Sequence, residues 1–126
     1  MEESDVYQAL GGEDGFKRLV AAFYRQIPGD PILSPLYPAG DLAGAEERLR
    51  DFLIFRFGGP ARYLETRGHP RLRMRHNPFP ITEGARDRWV EIMTRALAEA
   101  AFPPEPAAIL CEFFSSTATF LRNRPA

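Results

Sequence analysis

Residues 67–81 read RGHPRLRMRHNPFPI. This stretch holds both histidines of the chain, His69 and His76, together with Arg67, Arg71, Arg73 and Arg75. Any chemistry that needs imidazole has to be sited here. Pro70 follows His69 directly, and Pro78 follows His76 after Asn77. Proline lacks a backbone donor and disfavours the α region in the residue before it, so the segment has room for only one or two helical turns. A short, stiff, cationic turn carrying a histidine suits a pocket that takes an anionic ligand.

On either side of this turn the sequence is helical in pattern. Tyr7 to Leu10 reads as a short helix ended by Gly11-Gly12, and Glu13 and Asp14 suit the first turn of the next. That second helix carries Phe16, Leu19, Val20, Phe23, Tyr24 and Ile27 on one stripe. Pro28 to Pro31 stops it, leaving Ile32 to Tyr37 for a brief helical piece. Asp41 caps a third segment with Ala45, Leu49, Phe52 and Phe55 or Arg56 along one face and Gly58-Gly59-Pro60 at its end. Thr82 caps a fourth that reaches about Ala101, with Trp89, Ile92, Met93, Ala96 and Leu97 inward. After Pro103-Pro104 a fifth runs from Glu105 to Leu121, carrying Ile109, Leu110, Phe113, Phe114, Thr117, Phe120 and Leu121. Period-2 alternation never persists, so the fold class is all-α, with about four long helices and short connectors. Only the last few residues look prone to fraying.

Composition limits the classes of function. The 126 residues suit one domain spanning 1–126. A hydrophobic share of 44% is ordinary for a globular chain, and a formal net charge of −1 gives no bulk attraction to nucleic acid or an anionic membrane. No apolar run approaches the roughly 18 residues of a spanning helix. The opening MEESD lacks the basic and apolar regions of a signal peptide, so the expected location is cytoplasmic. Cys111 is the single cysteine, which excludes an intramolecular disulfide, and its apolar neighbours suggest an inert buried thiol.

Aromatic residues amount to 12%. Tyr24, Tyr37 and Trp89 lie on or beside apolar stripes, and a buried phenol or indole left without a partner costs about 1–3 kcal/mol. Each alone is explained by a backbone carbonyl. Three of them converging near His76 suggest a polar-tipped pocket in an apolar wall.

The run DLAGAEERLR (residues 41–50), the Gly58-Gly59-Pro60 corner, GHPRLRMRH (residues 68–76) followed by Pro78-Phe79, and Asp87-Arg88-Trp89 resemble the group II truncated haemoglobins. The resemblance covers nearly the whole chain. It implies a shortened globin fold, the two-over-two helical sandwich, and haem b as the iron-carrying cofactor. It makes His76 the proximal iron ligand through Nε2 and leaves His69 as a structural or surface residue. It also points to Arg48 and Arg75 as partners of the haem propionates, to Tyr63 for an added hydroxyl contact, and to Phe79 for packing beneath the haem. Most of the remaining arginines of this region read as a solvated face. Leu49 and Phe52 join Ala45 on one helical face as a wall of the haem pocket. Two departures from the family pattern stand out: Phe57 occupies a position before the glycine corner where tryptophan is common, and Asn77 one where a small residue is frequent.

On the distal side the resemblance puts Tyr24, Tyr37 and Trp89 over the iron. Ala45 stands where familiar oxygen carriers present a histidine, so it donates nothing. Ligand stabilisation then falls to the two phenols and the indole. The expected function is binding of O2, CO, NO or similar diatomic ligands, with high affinity and slow O2 release. A redox enzyme, a nitric oxide dioxygenase or a peroxidase, is the alternative, and it needs a separate reductase because the chain has no flavin or nicotinamide motif. Neither a nucleic-acid nor a membrane partner is expected, and the oligomeric state is open between monomer and homodimer.

Overall fold

The computed structural model describes residues 1–125. Seven α-helices follow one another: α1 Val6–Ala9, α2 Glu13–Arg25, α3 Leu42–Arg56, α4 Arg62–Arg67, α5 Leu72–His76, α6 Glu83–Ala100 and α7 Pro104–Leu121. Short 3-10 turns sit at Glu3–Asp5 and Ser34–Leu36, and there is no strand among the described residues. Helix α2 packs on α3 and α6, and α6 packs on α7. Two helical pairs therefore lie one over the other, as the two-over-two pattern requires.

Local chemistry explains the boundaries. The Asp41 side chain accepts from Gly44 N at 3.2 Å and starts α3, while Thr82 Oγ1 accepts from Ala85 N at 3.1 Å and starts α6. Helix α3 is followed, past its Phe57 cap, by Gly58, whose φ of +101° and close approach to Ser4 O admit no side chain: a Cβ there would lie 2.2 Å from that oxygen. Helix α2 shows the cleanest stripe, burying Phe16, Leu19, Val20, Phe23 and Tyr24. Each large apolar side chain so buried contributes about 1.5–3 kcal/mol, and Phe23→Ala would cost roughly 3–5 kcal/mol.

Several details differ from the sequence pattern. Helix α4 breaks what reads as a connector, because Tyr63 is drawn into the core against Phe52, ring centroids 5.5 Å apart. Cys111 is exposed rather than buried. The buried line of α7 runs through Pro106, Leu110 and Phe114 at intervals of four, and Cys111 lies about 100° around the helix from Leu110. Phe120 is exposed for the same geometric reason. Phe57 fills its corner fully buried, against Phe16 and Phe113 at 6.2 and 5.0 Å. The segment after α7 is tied down at Asn123 rather than frayed; Ala126 lies outside the described residues.

Candidate functional site

Between the helical layers lies a cavity of about 430 Å³, within the roughly 300–1,000 Å³ typical of small-molecule and cofactor pockets. Its walls are mainly apolar: Leu49 and Phe52 from α3, Phe79 and Ile81 from the turn after α5, and Phe113 and Leu121 from α7. Every candidate named from the sequence, Tyr24, Tyr37, Ala45, Arg48, Leu49, Phe52, Tyr63, Arg75, His76, Phe79 and Trp89, lines this one cavity. His69 does not. It is exposed, and its Nδ1 accepts from Arg71 N at 3.2 Å in a local turn.

His76 is the last residue of α5, a helix only five residues long between two proline-bearing turns. Its Nδ1 lies 2.7 Å from Leu72 O. A carbonyl only accepts, so Nδ1 carries a proton, and in the neutral ring Nε2 is then the atom with the lone pair. The same bond fixes the ring's orientation. This is how a metal-binding imidazole is prepared by the backbone around it.

Three polar tips are organised unequally. Trp89 Nε1 donates to Tyr37 Oη at 3.1 Å. Because that oxygen acts as acceptor, the Tyr37 proton remains available to a group in the cavity. Tyr24 Oη instead donates to Ala45 O at 3.2 Å, so its proton is committed to the backbone of α3. The Tyr24 and Tyr37 rings meet edge to face, centroids 5.6 Å apart, and Phe23 wedges against Tyr24, Tyr37 and Trp89. Burial pushes the Tyr37 phenol up to about 12, the Trp89 bond pulling slightly the other way. Burial, with Tyr37 beside it, raises the Tyr24 phenol still further. Both stay protonated throughout the physiological range.

The donors are held by a latch that sequence reading missed. Asp30, the one buried charged side chain among the described residues, accepts from Leu33 N and Ile32 N at 2.8 and 3.2 Å, and from Arg88 Nε at 2.6 Å. It ties the loop that leads to Tyr37 onto α6, one residue from Trp89. The available signal was an aspartate in a Gly-Asp-Pro turn beside an arginine next to Trp89, which is too common a pattern to single out.

Cationic groups ring the pocket. Arg48 lines it while donating to Asp41 at 3.3 Å. Arg75 donates to Arg67 O and His69 O at 2.5 and 3.1 Å and lies over the Tyr63 ring, 5.7 Å from its centroid. Arg67 and Arg86 line the cavity as well. Arg86 was legible, three residues before Trp89 on the same helical face. Arg67 was not, since only the end of α4 decides which arginine of the run borders the cavity while staying exposed. Phe113, Thr117 and Leu121, four apart on α7, read from the sequence as ordinary core and prove to be cavity wall.

Residues 5–123 match the bacterial-like globin family. The group 2 truncated hemoglobin YjbI of Bacillus subtilis is 36% identical over 118 residues, covering 94% of this chain and 88% of that one. The chain is a group 2 truncated haemoglobin. Among solved structures, this truncated haemoglobin is similar to a thermostable hemoglobin from Thermobifida fusca, 46% identical, covering 96% of this chain and 98% of that one with a TM-score of 0.92. A truncated oxygen-avid haemoglobin from Bacillus subtilis superposes with a TM-score of 0.88 at 36% identity, over 94% of this chain and 98% of that one.

Membership of the globins implies a haem-iron cofactor, and the residues present fit it. The apolar walls suit a flat macrocycle, an imidazole whose Nδ1 is engaged by Leu72 O and whose Nε2 is free of partners among the described residues in the neutral ring suits its iron, and guanidinium groups at the rim suit its carboxylates. No helix among the described residues is long and apolar enough to cross a membrane.

Proposed function

We propose that this truncated haemoglobin binds O2 and other small diatomic ligands at a haem b held by His76, with tight retention and slow release. When bound, the haem would supply an iron able to take a small diatomic ligand. The chain supplies the rest. His76 presents a neutral imidazole whose orientation Leu72 O fixes, and Arg48 and Arg75 offer charge-assisted hydrogen bonds to carboxylates at the rim. Ala45, Leu49 and Phe52 exclude water from one wall.

The observation that carries the reading is the Trp89–Tyr37 pair, in which an indole N–H orients a phenol and leaves its proton to the cavity. A polarised O2 is a better acceptor than a neutral one, and a hydrogen bond to such a charged group is worth about 1.5–3 kcal/mol. The oxygen-avid Bacillus subtilis relative supports the same direction. Slow release favours reaction of the held ligand over bulk delivery, which keeps a redox role with a separate reductase as a consequence of the same pocket. Purified protein reconstituted with haem should show an intense Soret band and slow O2 dissociation in stopped flow. Loss of that band in His76→Ala is expected, and its full retention would refute the assignment of the ligand.

A further inference from the structure

The segment after α5 reads NPFPI over residues 77–81. Pro78 and Pro80 have no N–H, so regular backbone pairing cannot hold this stretch in place. Within it, Phe79 N closes a turn on His76 O at 3.0 Å. What fixes the rest comes from a distant part of the chain. Asn123, just past the end of α7, accepts from Ile81 N through Oδ1 at 2.9 Å. Its Nδ2 donates to His76 O at 3.2 Å and to Phe79 O at 3.0 Å. Both amide protons and the amide oxygen are thereby used. Asn123 N and Arg124 N add backbone bonds to Ile81 O at 3.0 and 3.2 Å.

One side chain therefore grips three points of the turn that carries His76, Phe79 and Ile81, all of which line the cavity. We propose that Asn123 is a positioning residue that clamps the His76 turn and so sets the orientation and retention of the iron ligand. The inference rests on the reading of His76 as that ligand. Asparagine suits the post because it donates and accepts in one plane; aspartate keeps the acceptor and loses both donors, and alanine loses all three bonds. The Leu72 bond holds the imidazole ring, whereas Asn123 holds the backbone from which the ring hangs. These are separate constraints on the same group.

The test compares Asn123→Ala, Asn123→Asp and, as control, Arg124→Ala, whose guanidinium donates to Asn123 O and whose backbone bond to Ile81 O the substitution keeps. Three quantities are measured: amide exchange of Ile81 in the apoprotein, haem transfer to an excess of apomyoglobin, and the iron–histidine stretching band of the ferrous protein by resonance Raman. In Asn123→Ala the Ile81 amide should exchange about tenfold faster, haem should leave about tenfold faster, and the band should shift and broaden. Tenfold corresponds to about 1.4 kcal/mol, the net worth of one or two partly buried hydrogen bonds. Asn123→Asp should keep Ile81 protected yet still shift the band, and Arg124→Ala should match the parent. A parental band and haem-loss rate in Asn123→Ala, beside a band that vanishes in His76→Gly, would overturn the clamp while leaving the ligand assignment intact. A band surviving in His76→Gly would instead overturn the ligand assignment.

Discussion

Replacing Tyr24 or Tyr37 in the cavity wall by phenylalanine removes the same hydroxyl, yet the two substitutions should act on different properties. Tyr37 Oη accepts from Trp89 and keeps its proton for the cavity, whereas Tyr24 Oη gives its proton to Ala45 O. Tyr37→Phe deletes a donor to the bound ligand worth about 1.5–3 kcal/mol. At about 1.4 kcal/mol per factor of ten, O2 should dissociate roughly 10- to 100-fold faster. Carbon monoxide is less polarised, so its release should change by about threefold or less. Tyr24→Phe instead removes a buried hydrogen bond to the Ala45 carbonyl of α3, which remains within the helix ladder. It should lower stability by about 1–2 kcal/mol and leave O2 release within about threefold of the parent. Stopped-flow displacement of O2 by CO, alongside urea unfolding of both variants, separates the two effects. Equal acceleration by both substitutions, or none from Tyr37→Phe, would show that the hydrogen-bond pattern around the cavity does not govern release.

Two further outcomes follow from ionisable groups. Asp30→Asn keeps an acceptor for Leu33 N but loses the charge that Arg88 faces, and should destabilise the fold by about 2 kcal/mol, read as a lower urea midpoint. Burial alone would raise the Asp30 carboxyl, but the Leu33 amide and the Arg88 guanidinium together hold it below the usual carboxylate range. With the folded pKa depressed, its contribution is complete above the ordinary aspartate value of about 3.9 and disappears as pH falls through the lower folded value. Acid unfolding of Asp30→Asn should accordingly lack that component of the parent's titration. The Tyr37 phenol, pushed up to about 12 by burial, has the opposite sign: the stability it contributes is complete below the ordinary tyrosine value of about 10 and is lost as pH rises toward 12. Ferrous O2 release should therefore be flat from pH 6 to about pH 9.5; a step near pH 8 would contradict a buried, protonated donor.

Much of this architecture is written in local sequence. Helix starts at Asp41 and Thr82 are legible because a side-chain oxygen three residues before an amide caps it whatever the rest of the chain does. The stripe of α2 is legible because burial on a helix repeats with the turn of the helix itself. The confinement of His76 follows from the prolines that bracket it, so a short, stiff, histidine-bearing turn is legible in residues 67–81, whereas the ligand role proposed for His76 rests on the family resemblance.

The tertiary structure decided which of those groups are at liberty to act. Spacing put Tyr24, Tyr37 and Trp89 on a common footing; only the approach of α3 to α2 commits the Tyr24 proton to Ala45 O and leaves that of Tyr37 to the cavity. The grip of Asn123 on residues 76–81 and of Asp30 on Arg88 joins positions 47 and 58 apart in sequence. No periodicity encodes such pairs, because a hydrogen bond depends on the orientation of two groups within a few tenths of an ångström. Residue types and spacing thus determined the helical fold and the place of the histidine-bearing turn, while long-range packing determined which protons the pocket offers.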